Sequence, residues 1–116
     1  MIILSNAELE RLPGWEIVST GLADIASRRV TPSACAASIA LPRLRRHGLM
    51  DERQLAGQIA EPERTLYRLL GQAGDNAYGR YNTILARVCR FERALDSAIF
   101  RKARRSRSLG EPGSDH

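Results

Sequence analysis

The chain has 116 residues, the size of a single domain, and its 43% apolar content supplies one hydrophobic core where two would each be marginal. Aromatic residues make up only 5%, so the core must come from Leu, Ile, Val and Ala, a composition that favours a helical bundle over a sheet. The 18 basic against 13 acidic residues give a net charge of +5 and suggest polyanionic partners, while no run approaches the ~20 apolar residues that a membrane span needs.

Nearly all the positive charge is Arg, with Lys102 the sole lysine. The planar donor fork of Arg suits phosphates and carboxylates, although a coding bias toward Arg would look the same. Cys35 and Cys89 lie far apart in apolar surroundings and form no ligand-spaced pair, so both are expected to be reduced and buried. The opening Met1-Ile2-Ile3-Leu4 is too short for a signal peptide, and a cytoplasmic protein is expected.

In chain order, Ser5 and Glu8 have the spacing of a capping box and predict a short first helix that stops at Pro13-Gly14. Trp15, Val18, Leu22 and Ile25 recur at intervals of three and four, the stripe of an amphipathic helix, with Arg28 and Arg29 suited to the negative end of its dipole. Gly21 should weaken that helix. Thr31-Pro32 starts the next one, because threonine caps and proline is tolerated in the first turn. Its small, Ala-rich stretch over 33–40 would let another helix approach closely; Pro42 should interrupt or kink it, and Gly48 after His47 should end it.

Asp51 predicts a capped helix over 51–59 carrying Leu55 and Ile59, and Glu61-Pro62 opens another to about Leu70, ended by Gly71 and Gly74. From Asp75 or Asn76 begins the longest helix. There Ala77, Tyr81, Ile84, Val88, Phe91, Leu95 and Ala98 alternate spacings of four and three, an a/d seam over about three heptads. The seam can dock inside one bundle or against a second copy, which makes Tyr81, Ile84, Val88, Phe91 and Leu95 candidate interface residues. After Phe100 the apolar pattern stops, so the expected organisation is a helical domain over 1–100 and a disordered basic tail over 101–116. The fold class is all-α.

Residues 44–59 and 63–70 resemble the helix-turn-helix core of DeoR-like and related winged-helix repressors: a helix ending at Gly48, a capped segment with Leu55-Ala56, then Glu63-Arg64-Thr65-Leu66-Tyr67-Arg68 as a recognition helix. The resemblance covers about a quarter of the chain. It implies that Leu55, Ala56 and Ile59 pack on Leu66 and Leu70, leaving Arg64, Thr65, Tyr67 and Arg68 to enter the major groove of DNA. Where such families place Gly-apolar-Ser in the turn, this chain has Ala60-Glu61-Pro62. A copied turn would strain Ala60 at positive φ and direct the Glu61 charge toward the core. Nothing after Leu70 resembles a wing hairpin.

Beyond that segment, Arg101, Lys102, Arg104, Arg105 and Arg107 form a run without an acid, suited to a nucleic-acid backbone or an acidic protein, and Arg45 and Arg46 beside Arg43 and His47 form a second basic cluster. His47, in a last helical turn, suits the helix dipole better than catalysis. Glu92 and Asp96 share a helix face, where Arg90 and Arg93 are the expected ion-pair partners. Asn76, Tyr78, Arg80, Tyr81 and Asn82 could line a pocket, but a capped helix start with packed tyrosines accounts for them. With His47 and His116 the only histidines, a His-based triad or multi-histidine metal site lacks members, and no cofactor or enzymatic activity is expected. The leading expectation is a small non-enzymatic DNA-binding protein. The alternative is an interaction module that homodimerises or holds a partner helix through its last helix.

Overall fold

A computed structural model describes residues 3–50 and 56–110, with side chains through Arg107. The described residues form five helices and no strand: α1 (Asn6–Glu10), α2 (Trp15–Ala26), α3 (Pro32–Arg46), α4 (Pro62–Ala73) and α5 (Ala77–Gly110). The all-α architecture expected from composition and periodicity is the one observed.

Two of the predicted starts, at Ser5 and Thr31, hold in atomic detail. The Ser5 hydroxyl accepts the Glu8 N–H at 3.2 Å, and the Ser5 N–H donates to Glu8 Oε1 at 2.7 Å, closing the capping box of α1. Thr31 caps α3 by accepting the Ala34 N–H at 3.0 Å, and its own hydroxyl donates to Asp24 Oδ2 at 2.6 Å. Asp24, buried near the end of α2, also pairs with Arg29 at 3.1 Å, so one carboxylate ties the α2–α3 turn from both sides. Gly48 ends α3 at a φ of 74°, with the Leu49 N–H bonding back to the Leu44 carbonyl at 2.9 Å.

α2 and α3 form an antiparallel hairpin whose crossing is set by small residues, Gly21 against Ser33 and Ala37. α5 packs alongside. Val18, Ile25, Ala37, Leu41 and Leu44 meet Val88, Phe91 and Leu95 in the main core, and Trp15 stacks on Phe91 at 6.0 Å. Gly14, at a φ of 85°, lets the start of α2 lie on α5: a Cβ there would stand 2.9 Å from the Arg87 carbonyl oxygen. A smaller cluster of Leu66 and Leu70 with Cys35 seats α4 on α3 and the first turns of α5.

Four boundaries differ from the sequence reading. α3 continues through Pro42 to Arg46. Proline has no N–H for the Ser38 carbonyl four residues back, and beside that gap the buried Ser38 hydroxyl accepts the Ile59 N–H at 2.9 Å. Of the helix predicted over 51–59, residues 51–55 lie outside the described ones, and 56–59 are turn and irregular chain. There Gly57 takes a φ of 93° against the Ile25 carbonyl oxygen, a conformation that no helix contains. α4 passes Gly71 and ends at Ala73, with Gly74, the second of the two expected stops, as its C-cap.

The fourth difference matters most for function. α5 does not stop at Phe100 but runs to Gly110, so the basic run over 101–107 is helical and the expected boundary at 100 falls inside a helix. Arg, Lys and Ala are good helix formers once a nucleus exists, and the Lys102 ammonium holds the extension to the Ile3 carbonyl oxygen at 2.8 Å. The long helix stretches the molecule to 60 × 28 × 21 Å.

Candidate nucleic-acid interface

α4 is positioned by its two buried leucines. With Leu66 and Leu70 inward, a rotation of about 100° per residue turns Arg64 and Arg68 to the opposite, solvent face. Arg64 pairs with Glu61 at 3.2 Å. Tyr67 is 46% exposed and sets its ring edge against Tyr81, with centroids 5.3 Å apart. Thr65 is half-buried and its hydroxyl lies 3.4 Å from the Ala60 carbonyl oxygen, so this side chain is directed at its own helix start rather than outward. The turn before α4 departs from the strain expected of it. Glu61, not Ala60, takes positive φ, at 47°, and its carboxylate points to solvent rather than core.

α5 carries a longer cationic surface. Arg90, Arg93, Arg101 and Arg104 follow helical spacings on the side away from the seam, and all are exposed, as are Arg105 and Arg107. Arg101, Arg104, Arg105 and Arg107 line one shallow hollow, and the Arg104 guanidinium lies 5.7 Å from the Phe100 ring centre. Lys102 does not belong to this surface. It turns toward α1 and pairs with Glu8 at 2.8 Å, and that ammonium, with the Ser5 N–H, holds the Glu8 carboxyl down to about 2.

The end of α3 meets α5 through Asp96. His47 Nε2 donates to Asp96 Oδ1 at 2.8 Å and the Arg43 guanidinium donates to the other carboxylate oxygen. Desolvation opposes ionisation of Asp96, but these two partners outweigh it and lower its pKa. Burial pushes the neighbouring Glu92 carboxyl up, against the positive charges of Arg43 and Arg46. Of the acids of α5, Asp96 is therefore paired by α3 and Glu92 lies within the field of Arg43 and Arg46; among the described residues neither pairs, as local spacing suggested, with Arg90 or Arg93. Those two arginines consequently face solvent, and the sequence reading missed them as binding candidates; their register with Arg101 and Arg104 was the available signal. Arg46 is exposed, and Arg45, also exposed, is not without a partner.

The candidate cations thus form separate groups. Tyr67 touches Tyr81, and from Tyr81 to Arg104 the axis of α5 rises roughly 35 Å. Arg64 and Arg68 at one end and the 101–107 arginines at the other cannot grip the same phosphate. The candidate interface residues of the seam fare differently: Val88, Phe91 and Leu95 are at most 2% exposed, and Tyr81 and Ile84 are half-buried. The a/d stripe packs as an inner face of this bundle, with Val88, Phe91 and Leu95 in the main core.

Among the described residues no helix is long and apolar enough to cross a membrane, and no group of three or more His, Cys, Asp and Glu side chains is placed to hold a metal ion. Comparison with known proteins finds no matching family model, no matching curated sequence and no matching solved structure.

Proposed function

We propose that this chain is a small, cytoplasmic, non-enzymatic nucleic-acid-binding protein that follows a phosphate backbone with the arginine face of α5. The observation that carries the reading is that Arg90, Arg93, Arg101, Arg104, Arg105 and Arg107 are all exposed on one helix and that no carboxylate among the described residues pairs with them. Cations held on a rigid helix, without a paired carboxylate among the described residues, lose little on meeting phosphates and release counterions from the polyanion. α4 adds a second contact. Its exposed Arg64, Tyr67 and Arg68 retain the polar face that the resemblance to a recognition helix implies, and a duplex would span about one helical turn to reach both patches.

Binding of this kind is salt-dependent, each phosphate contact adding about 0.9 to the slope of log affinity against log salt. Fluorescence anisotropy with a labelled duplex, at several salt concentrations, tests it. The variant with Arg101, Arg104, Arg105 and Arg107 each changed to Gln should lose affinity and, at one phosphate per guanidinium, about 3.6 of that slope. Arg64→Ala with Arg68→Ala should weaken binding independently and flatten any sequence preference. An unchanged slope in the quadruple variant removes the α5 reading, and tight binding to polyglutamate with none to DNA or RNA would replace it with an acidic protein partner.

A further inference from the structure

We propose that the cleft between α1 and the distal part of α5 is a phosphomonoester site, receiving the 5′-terminal phosphate of a nucleic acid laid along the α5 arginines; the inference rests on the nucleic-acid reading above and deepens it. The cleft encloses about 490 Å³. Its cations come from two elements: Arg11 from the turn that ends α1, and Arg101, Lys102 and Arg105 from α5. Its one acid is Glu8, and that carboxylate is already held by Lys102 at 2.8 Å and by the Ser5 N–H at 2.7 Å. Lys102 and Glu8 therefore cancel, leaving Arg11, Arg101 and Arg105 with no paired carboxylate among the described residues and bordering one cavity.

Three like charges around a single hollow repel one another, and an anion placed among them relieves that repulsion. The floor strengthens the effect, because Leu4, Leu12 and Ala98 line it and displace water from beneath the charges. A phosphomonoester carries close to two negative charges at neutral pH, against one for an internal phosphodiester, so a three-guanidinium site discriminates in favour of the chain end. Continuity supplies the link to α5: Arg101 and Arg105 line this cleft and also the hollow that contains Arg104 and Arg107.

The test compares one oligonucleotide carrying a 5′-phosphate or a 5′-hydroxyl, by anisotropy, on the full chain and on Arg11→Gln. Arg11 is exposed and lies outside the α5 stripe, so the variant should melt with wild type. Wild type should prefer the phosphorylated end by about fivefold or more. Arg11→Gln should bring that ratio near one while changing affinity for the hydroxyl form less than about twofold. Equal affinities on wild type overturn the inference while leaving backbone binding intact. Inorganic phosphate, titrated against amide shifts, supplies an independent arm: saturable shifts around Arg11, Ala98 and Lys102 support the site. Such shifts with no oligonucleotide binding would keep an anion site and sink the nucleic-acid reading. Absent shifts with end preference also absent reject the site outright.

Discussion

Gly21 and Ala37 meet so closely at the crossing of α2 and α3 that a Cβ built on the glycine would stand 2.6 Å from that of Ala37 and 1.9 Å from the Ser33 carbonyl oxygen. By helix propensity alone, Gly21→Ala should stabilise α2 by about 1 kcal/mol. The obstructing atom is backbone, however, and cannot rotate away, so the two helices must separate along their whole contact. The variant should lose about 3 kcal/mol in chemical denaturation. Gly71 is the matched control: it lies within α4 with nothing within 4 Å of the added methyl, and Gly71→Ala should gain about 0.5 to 1 kcal/mol. If both substitutions stabilise, the close crossing is wrong.

The meeting of Gly21 with Ala37 also marks where sequence reasoning runs out. The small residues over 33–40 announced a close approach, and Gly21 was visible as a weak point of α2, yet nothing local says that the two are the same contact. Caps and seams are legible because their partners lie three or four residues away. The pairing of Asp96 with Arg43 and His47 joins residues some fifty positions apart, and the local rule offered Arg90 and Arg93 instead. The end of α5 was misjudged for a related reason: apolar periodicity reports burial, and a helix of Arg, Lys and Ala held at one point by Lys102 continues after burial has ended. Of the proposed interface, the 101–107 run was legible as composition, its helical form was not, and the contribution of Arg11 to a cleft required the fold.

Acid should destabilise the fold through one carboxylate and relieve it through another. The folded-state pKa of Glu8 is depressed from 4.5 to about 2, so the stability it contributes is present above pH 4.5 and is lost as pH falls toward 2. Glu92 has the opposite sign. Its pKa is raised by burial, so its contribution is present below 4.5 and is lost as pH rises through the folded value. Thermal melts between pH 2 and 7 should show Glu8→Gln less stable than wild type at neutrality and converging with it near pH 2. Glu92→Gln should melt higher than wild type at pH 7 and lose that advantage below about pH 4. Parallel curves for either variant across the range contradict its assignment.

The seam of α5 makes a prediction that separates bundle from dimer. Phe91 is wholly buried against Trp15 and the underside of α3, so Phe91→Ala should cost about 3 to 5 kcal/mol at any protein concentration. Val88→Asp should unfold the chain rather than release a folded monomer, because an unpaired carboxylate would replace a side chain that is 2% exposed. Sedimentation and circular dichroism over a hundredfold dilution read both. A Val88→Asp protein that keeps full helicity and merely becomes lighter would place the seam between chains.

The two thiols report on whether α4 can move independently of the rest. Cys89, expected from its apolar neighbours in sequence to be buried, is instead exposed on α5, whereas Cys35 is fully buried and its pKa is pushed up to about 11 by desolvation, against the attraction of the Arg68 charge. An aromatic disulfide reagent should therefore consume Cys89 at once and leave Cys35 untouched in the folded chain. Cys35 is covered by Leu66 and Leu70, so it becomes reachable when α4 lifts from α3, without opening the Phe91 core. In a Cys89→Ser background, Leu70→Ala should speed Cys35 labelling by much more than it lowers global stability, because it weakens the small cluster selectively. Phe91→Ala should change both together. Should Cys35 label as fast as Cys89 in the wild-type chain, α4 is not seated as described, and the arginine face it presents would lose its fixed support.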